Sequence, residues 1–339
     1  MNPVRMSGLI VLLLGIVLAQ GEATVGLTLE QVLSKPPVAL NLQLAQSNLS
    51  SAQSMLAQLQ ADPTTLRADV LGAQGNLAFA EASLTQAGVQ SQLGLAQAFF
   101  NAVNAERQQL VDEARFGLAQ TELKVAQERV RLGSGGTLAV EQAQAAAIQA
   151  EQDVKADEVF ADVQRDILAS LLSLKTLPTL SAQVPASNAT PSLVAVRQAA
   201  LKIANVVRVA SALMLAKLKL EQSQSEFVAD GQRNIAQQAL VSAQLEYQVQ
   251  VTSAQQAADS AYIASRIASA KLTAAQASLN AQEAALKTAQ VQEKAGTVSK
   301  LQVLTLGVSL KQSQFALVQA RQNVFLAALG LRLAAPTGN

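Results

Sequence analysis

Residues Phe116–Val140 read FGLAQTELKVAQERVRLGSGGTLAV. Two sets of apolar residues recur every seven positions in this stretch: Leu118, Val125 and Leu132, and Phe116, Leu123 and Val130. A seven-residue period holds one stripe of a helix against a partner helix. The run stops at Gly133-Ser134-Gly135-Gly136, where glycine permits the backbone to reverse. Beyond it the period resumes at Val140, Ala147, Val154, Ala161 and Leu168. A stripe, a glycine stop and a second stripe predict a helical hairpin closed as an antiparallel coiled coil.

The same grammar extends in both directions. Helix breakers are sparse: Pro36-Pro37, Asp62-Pro63, the Gly cluster, Leu177-Pro178 through Pro185 to Pro191, Asp230-Gly231, Ala295-Gly296 and Pro336. They leave six helical stretches, about 37–61, 64–131, 137–175, 192–228, 232–294 and 298–333. Leu272, Leu279 and Leu286 carry the heptad into the second half. At 1.5 Å per residue the stretch 232–294 is roughly 95 Å long, too long for a compact globule. The expected fold is therefore all-α and elongated: coiled-coil helical hairpins in two tandem repeats. Phe99 precedes Gly133 by 34 residues, and Tyr262 precedes Gly296 by 34. With Pro37 and Pro191 taken as the leaders, an internal duplication of about 155 residues is expected. The expected divisions are a signal peptide 1–19, a first helical repeat 28–180, a linker 181–191, a second helical repeat 192–333 and a disordered tail 334–339.

Composition narrows the chemistry. Half of the 339 residues are apolar but only 3% are aromatic, which suits thin helix–helix seams. Lys plus Arg number 25 and Asp plus Glu 24, so no basic excess supports nucleic-acid binding. The chain has no Cys, His or Trp, which removes thiol and imidazole chemistry and the usual zinc ligands. The inventory argues against an enzyme and calls for no cofactor or metal. Arg5 precedes the apolar run Gly8 to Leu18, the pattern of a cleaved secretory signal with a cut after Ala19 or Ala23. No later segment offers 18 consecutive strongly apolar residues, so no transmembrane helix is expected.

Several landmarks, in order and in two copies, carry a family resemblance. The first set is Ala96-Gln97-Ala98-Phe99-Phe100-Asn101-Ala102, then Arg129-Val130-Arg131-Leu132-Gly133, then Val140-Glu141-Gln142-Ala143. The second is Ala261-Tyr262, then Glu293-Lys294-Ala295-Gly296-Thr297, then Val303-Leu304-Thr305-Leu306, with Ala320-Arg321-Gln322-Asn323 and Leu329-Gly330 closing the chain. Over about 28–333 the sequence resembles the TolC-like outer-membrane efflux proteins. The resemblance implies an efflux or secretion duct component in the periplasm and outer membrane. It implies a passive conduit, a homotrimer, working with a periplasmic adaptor and an inner-membrane transporter. Two departures stand out. An acidic residue frequent in the family six positions after the tip Gly is replaced by Ala139 and Gln302. Only 62 positions separate Pro37 from Phe99, and they read as helix, turn and helix rather than as spanning strands. The membrane β-strands are thus expected to be missing. That favours an alternative, a periplasmic coiled-coil spacer or envelope scaffold without a pore.

The candidate partner-contact tips are Leu132 and Gly133 in the first half and Ala295, Gly296 and Thr297 in the second. By resemblance they meet the adaptor, although glycine also ends helices for purely conformational reasons. Phe99, Phe100 and Tyr262 read as core residues. The carboxylates Asp112, Glu113, Glu151, Asp153, Asp157 and Glu158 alternate with Lys155, Arg165 and Gln and read as a solvated helix face. The Gly cluster at 133–136 lacks the Gly-Lys-Ser/Thr of a phosphate loop.

Overall fold

The computed structural model describes residues 26–34, 40–185, 191–225 and 228–336. The expected signal peptide, Pro36-Pro37 and residues 337–339 of the expected tail lie outside the described residues. Eight helices are present among those described: α1 (Leu29–Ser34), α2 (Leu40–Ala61), α3 (Arg67–Arg131), α4 (Thr137–Leu171), α5 (Leu193–Ala200), α6 (Ala204–Ser223), α7 (Asp230–Lys294) and α8 (Lys300–Ala334). No strand occurs among the described residues; Leu27 and Leu180 form an isolated bridge. Where spanning strands are expected to be missing, helices joined by turns stand instead. In one, Asp62 Oδ1 accepts from Thr64 N at 2.8 Å and Thr64 Oγ1 at 2.7 Å, folding the α2–α3 corner.

The two halves agree helix for helix. α3 and α7 each have 65 residues, and α4 and α8 each have 35. Arg67 to Asp230, Arg131 to Lys294, Thr137 to Lys300 and Leu171 to Ala334 are all 163 positions apart. The offset is 163 rather than about 155 because α1 and α5, not Pro37 and Pro191, correspond. Thr28 and Gln31 cap α1 reciprocally, Thr28 N donating to Gln31 Oε1 at 3.0 Å and Gln31 N to Thr28 Oγ1 at 3.3 Å. Ser192 caps α5 by accepting from Ala195 N.

Three further expectations need correcting. The stretch 192–228 is not one helix: α5 and α6 meet at an angle of 57°. Ile203 takes an extended conformation at the break, with neither Gly nor Pro nearby to announce it. The helix 137–175 ends at Leu171, because Ser173 adopts φ 52° and Leu174 N donates back to Ala169 O at 2.9 Å. The last helix reaches Ala334 and Ala335 is buried. No single described helix is long and apolar enough to cross a membrane; α5 and α6 pass that test only as a bent pair.

Packing arranges the helices as one layer. Toward the Gly turns, α3 packs between α4 and α8, and α8 between α3 and α7. Toward the other end, α3 packs between α2 and α6, and α6 between α3 and α7. Two apolar clusters hold the waist. Leu29, Val32, Leu95, Phe99, Phe100, Val103, Leu168 and Leu329 form the first; Val196, Ala200, Val206, Ala258 and Leu331 form the second. Phe99 is 1% exposed, as its reading as a core residue requires. The heptad residues Ala147, Ala161 and Leu168 are buried along α4.

Candidate functional site

Both hairpins turn with the same hydrogen bonds. In the first, Gly133 has φ 72°, its N–H donates to Val130 O at 3.0 Å, and Ser134 N donates to Arg129 O at 2.9 Å. In the second, Gly296 has φ 75°, donating to Glu293 O at 2.9 Å, while Thr297 N donates to Gln292 O at 2.9 Å. This is a Schellman closure, and it needs a left-handed residue where Gly stands. The hydroxyls of Ser134 and Thr297 add a bond to the same carbonyls, at 3.1 and 3.0 Å. Leu132, Gly133, Ala295, Gly296 and Thr297 are all exposed, Leu132 by 65%.

The tips lie at one end. Phe100 on α3 meets Phe325 on α8, and Arg115 meets Gln312. Those pairs run antiparallel, and continuing the register brings Arg131 level with Gly296. The structure thus brings the two predicted tip sets to the same end of the layer. The first carries an Arg131–Glu128 ion pair, which holds the Glu128 carboxyl below its usual range. The second has Ser299 capping α8 by accepting from Gln302 N at 3.2 Å.

One sequence reading fails here. Asp112 does not lie on a solvated face; it is 5% exposed, inside the α3–α4 seam. Its neighbours at heptad distance, Ala105 and Ala119, are buried as well, and that spacing is the signal that marks it. Asp112 accepts from Gln108 Nε2, and from Arg115 Nη1 at 2.6 Å. Its carboxyl also lies beside that of Asp157 on α4. Burial alone raises the Asp112 pKa, but the bonds from Asp157, Gln108 and Arg115 hold it below the ordinary value. Asp157 goes the other way, to about 6, through burial first and the Asp112 carboxylate second. A second polar cluster was also not foreseen: Arg165 on α4 pairs with Glu106 on α3 and donates to Leu177 O at 2.9 Å. Among the described residues no group of three or more His, Cys, Asp or Glu is placed to hold a metal.

No protein-family model matches the chain, and no curated protein sequence does. Solved structures do. The outer membrane protein VceC from Vibrio cholerae superposes with a TM-score of 0.61 at 18% identity, over 90% of this chain and 94% of that one.

The fold is that of the helical part of outer-membrane channels.

The Campylobacter jejuni CmeC outer membrane channel agrees, with a TM-score of 0.63 at 14% identity over 90% of this chain and 85% of that one. So does CusC, whose structures concern folding and transmembrane channel formation, at 0.62 and 15% over 90% of each chain. At these identities the likeness establishes the fold. The helical layer corresponds to the helical part of those channels.

Proposed function

We propose that this chain is the subunit of an oligomeric helical duct of the cell envelope, a passive conduit for efflux or secretion. The layer of helices supports this reading most directly. It has two open edges, α7 on one side and α4 with α2 on the other. Both carry exposed apolar side chains: Ile235, Leu245, Val249 and Ile263 on α7, and Ile148, Phe160, Val163 and Ile167 on α4. A wall whose opposite edges fit each other closes into a ring by head-to-tail contacts. The 163-residue offset names the fit. It maps α3 onto α7 and α8 onto α4, so the α3–α8 seam within one chain is the template for an α7–α4 seam between chains. Three copies close the ring on the family resemblance, with the exposed tips facing a periplasmic adaptor and an inner-membrane transporter supplying the energy. The names of the structural neighbours support a place at the outer membrane.

Cross-linking tests it. The counterparts of Phe100 and Phe325 at the 163 offset are Ile263 and Asp162, and the natural chain has no cysteine to interfere. Ile263→Cys with Asp162→Cys on one chain should oxidise into a ladder that stops at three copies. Monomer alone would reject the duct.

The second reading, a periplasmic spacer without a pore, is favoured by the absence of strands among the described residues. A duct should remain with outer membranes after a salt wash, whereas a spacer should be released.

A further inference from the structure

Asp112 and Asp157 face each other across the first hairpin, and the second hairpin supplies their control. At the offset of 163, the counterparts of Asp112 and Asp157 are Ala275 and Ala320. Ala320 is buried and Ala275 half-buried, so the same seam closes there on two methyl groups. Packing therefore does not require a carboxyl at either position. In the first hairpin the two acids lie side by side, Asp112 buried and Asp157 half-buried. Asp157 Oδ2 is buried and no protein group donates to it. Two ionised carboxylates in contact repel, and one proton between them turns that repulsion into a hydrogen bond.

The remaining groups at the pair fix its preferred charge. From α3 come Arg115, which donates to Asp112, and the neutral Gln108. From α4 comes Asp153, whose negative charge adds to the repulsion at Asp157. From α8 comes the neutral Gln312; with its amide oxygen toward Arg115 it accepts from Nε at 3.2 Å and Nη2 at 2.8 Å. One guanidinium thus neutralises one carboxylate, and among the described residues no second cation faces the other. We infer that Asp112 and Asp157 form a proton-operated latch: with one shared proton the α3–α4 seam is closed, and without it the first hairpin loosens while the second stays shut.

The pH window follows from the directions above. Asp157 has a raised pKa in the fold, so its contribution is fully present below the unfolded value of 3.8 and is lost as pH rises through about 6. Asp112 has a lowered pKa, so its contribution is present above 3.8 and is lost as pH falls below it. The latch is tightest near pH 3.8, loosens as pH rises through about 6 and is released at neutral pH. Through Arg115 and Gln312 its state reaches α8, one of the two helices of the second half that pack on α3.

Hydrogen exchange on the intact mature chain tests this. Protection of α3–α4 amides around Asp112 and Asp157, corrected for the chemical exchange rate, is compared with that of α7–α8 amides around Ala275 and Ala320. Between about pH 5 and pH 7.5 the first hairpin should lose roughly tenfold in protection and the second should not change. Asp157→Asn, which keeps a neutral donor beside Asp112, should abolish that loss. So should Asp112→Ala with Asp157→Ala, which copies the second hairpin. Equal behaviour of the two hairpins in the unmodified chain would overturn the latch, whether or not the variants fold. An unchanged loss in Asp157→Asn would overturn it as well.

Discussion

Phe100 on α3 and Phe325 on α8 meet edge to face, their ring centroids 5.9 Å apart and their planes at 89°. The contact joins the first hairpin to the second, and Phe99 extends it with a second edge-on pair at 6.0 Å. Few aromatic residues occur in this chain, and these three sit where α1, α3, α4 and α8 converge. Elsewhere the seams are largely alanine. The waist therefore concentrates the apolar stabilisation that holds the halves together.

Removing one ring should show it. Phe99→Ala deletes a fully buried side chain and should destabilise the chain by about 3–5 kcal/mol. Urea unfolding measures this as a lowered midpoint at unchanged slope. A loss under about 1 kcal/mol would mean that the waist is not the core.

The α3–α6 seam depends on the absence of a side chain. A Cβ on Gly75 would stand 2.6 Å from Ser211 Cβ and 2.9 Å from its Oγ. Alanine in a helix interior normally gains about 1 kcal/mol over glycine. Here the overlap falls on a Cβ, which cannot swing aside, so Gly75→Ala should instead cost about 1–3 kcal/mol. Ser211→Gly in the same chain should restore most of it, and a stabilising Gly75→Ala would show that the helices are not in close approach.

At the tips, Gly133→Ala and Gly296→Ala force a Cβ into the left-handed region and should each cost about 1–2 kcal/mol. Asparagine should cost less at both positions. Because both turns are built alike, the two glycines should give matching losses in melting experiments; a marked inequality would mean that one tip has support beyond its own backbone.

Arg165 fixes the chain that leaves α4. Its guanidinium serves Glu106 and the Leu177 carbonyl together, which a lysine ammonium does not reproduce. Arg165→Ala should cost about 1–3 kcal/mol. Arg165→Lys should recover little of that, and limited proteolysis should cut both variants faster within residues 172–185.

Much of this architecture is visible in the residues themselves. Long helical stretches that stop at Gly133 and Gly296 give the hairpins, and phenylalanine within an Ala/Gln-rich helix gives the waist. What is hidden has physical reasons. The break between α5 and α6 falls at Leu201-Lys202-Ile203, where no residue disfavours helix. Tertiary packing around Val196, Val206 and Leu331 accompanies it. Ser173 takes a left-handed turn that sequence assigns to glycine. Pro37 and Pro191 look like equivalent leaders and are not, because Thr28 and Ser192 supply the caps. Asp112 was concealed by its charge: a carboxylate is read as solvated unless its place in the Ala105–Ala119 stripe is counted first.

Cryo-electron microscopy of the purified protein tests the duct most directly. A closed ring of three copies is expected, with α7 of each against α4 and α2 of the next and every Gly133 and Gly296 at one rim. A population of single, unringed rods under the same conditions would contradict it.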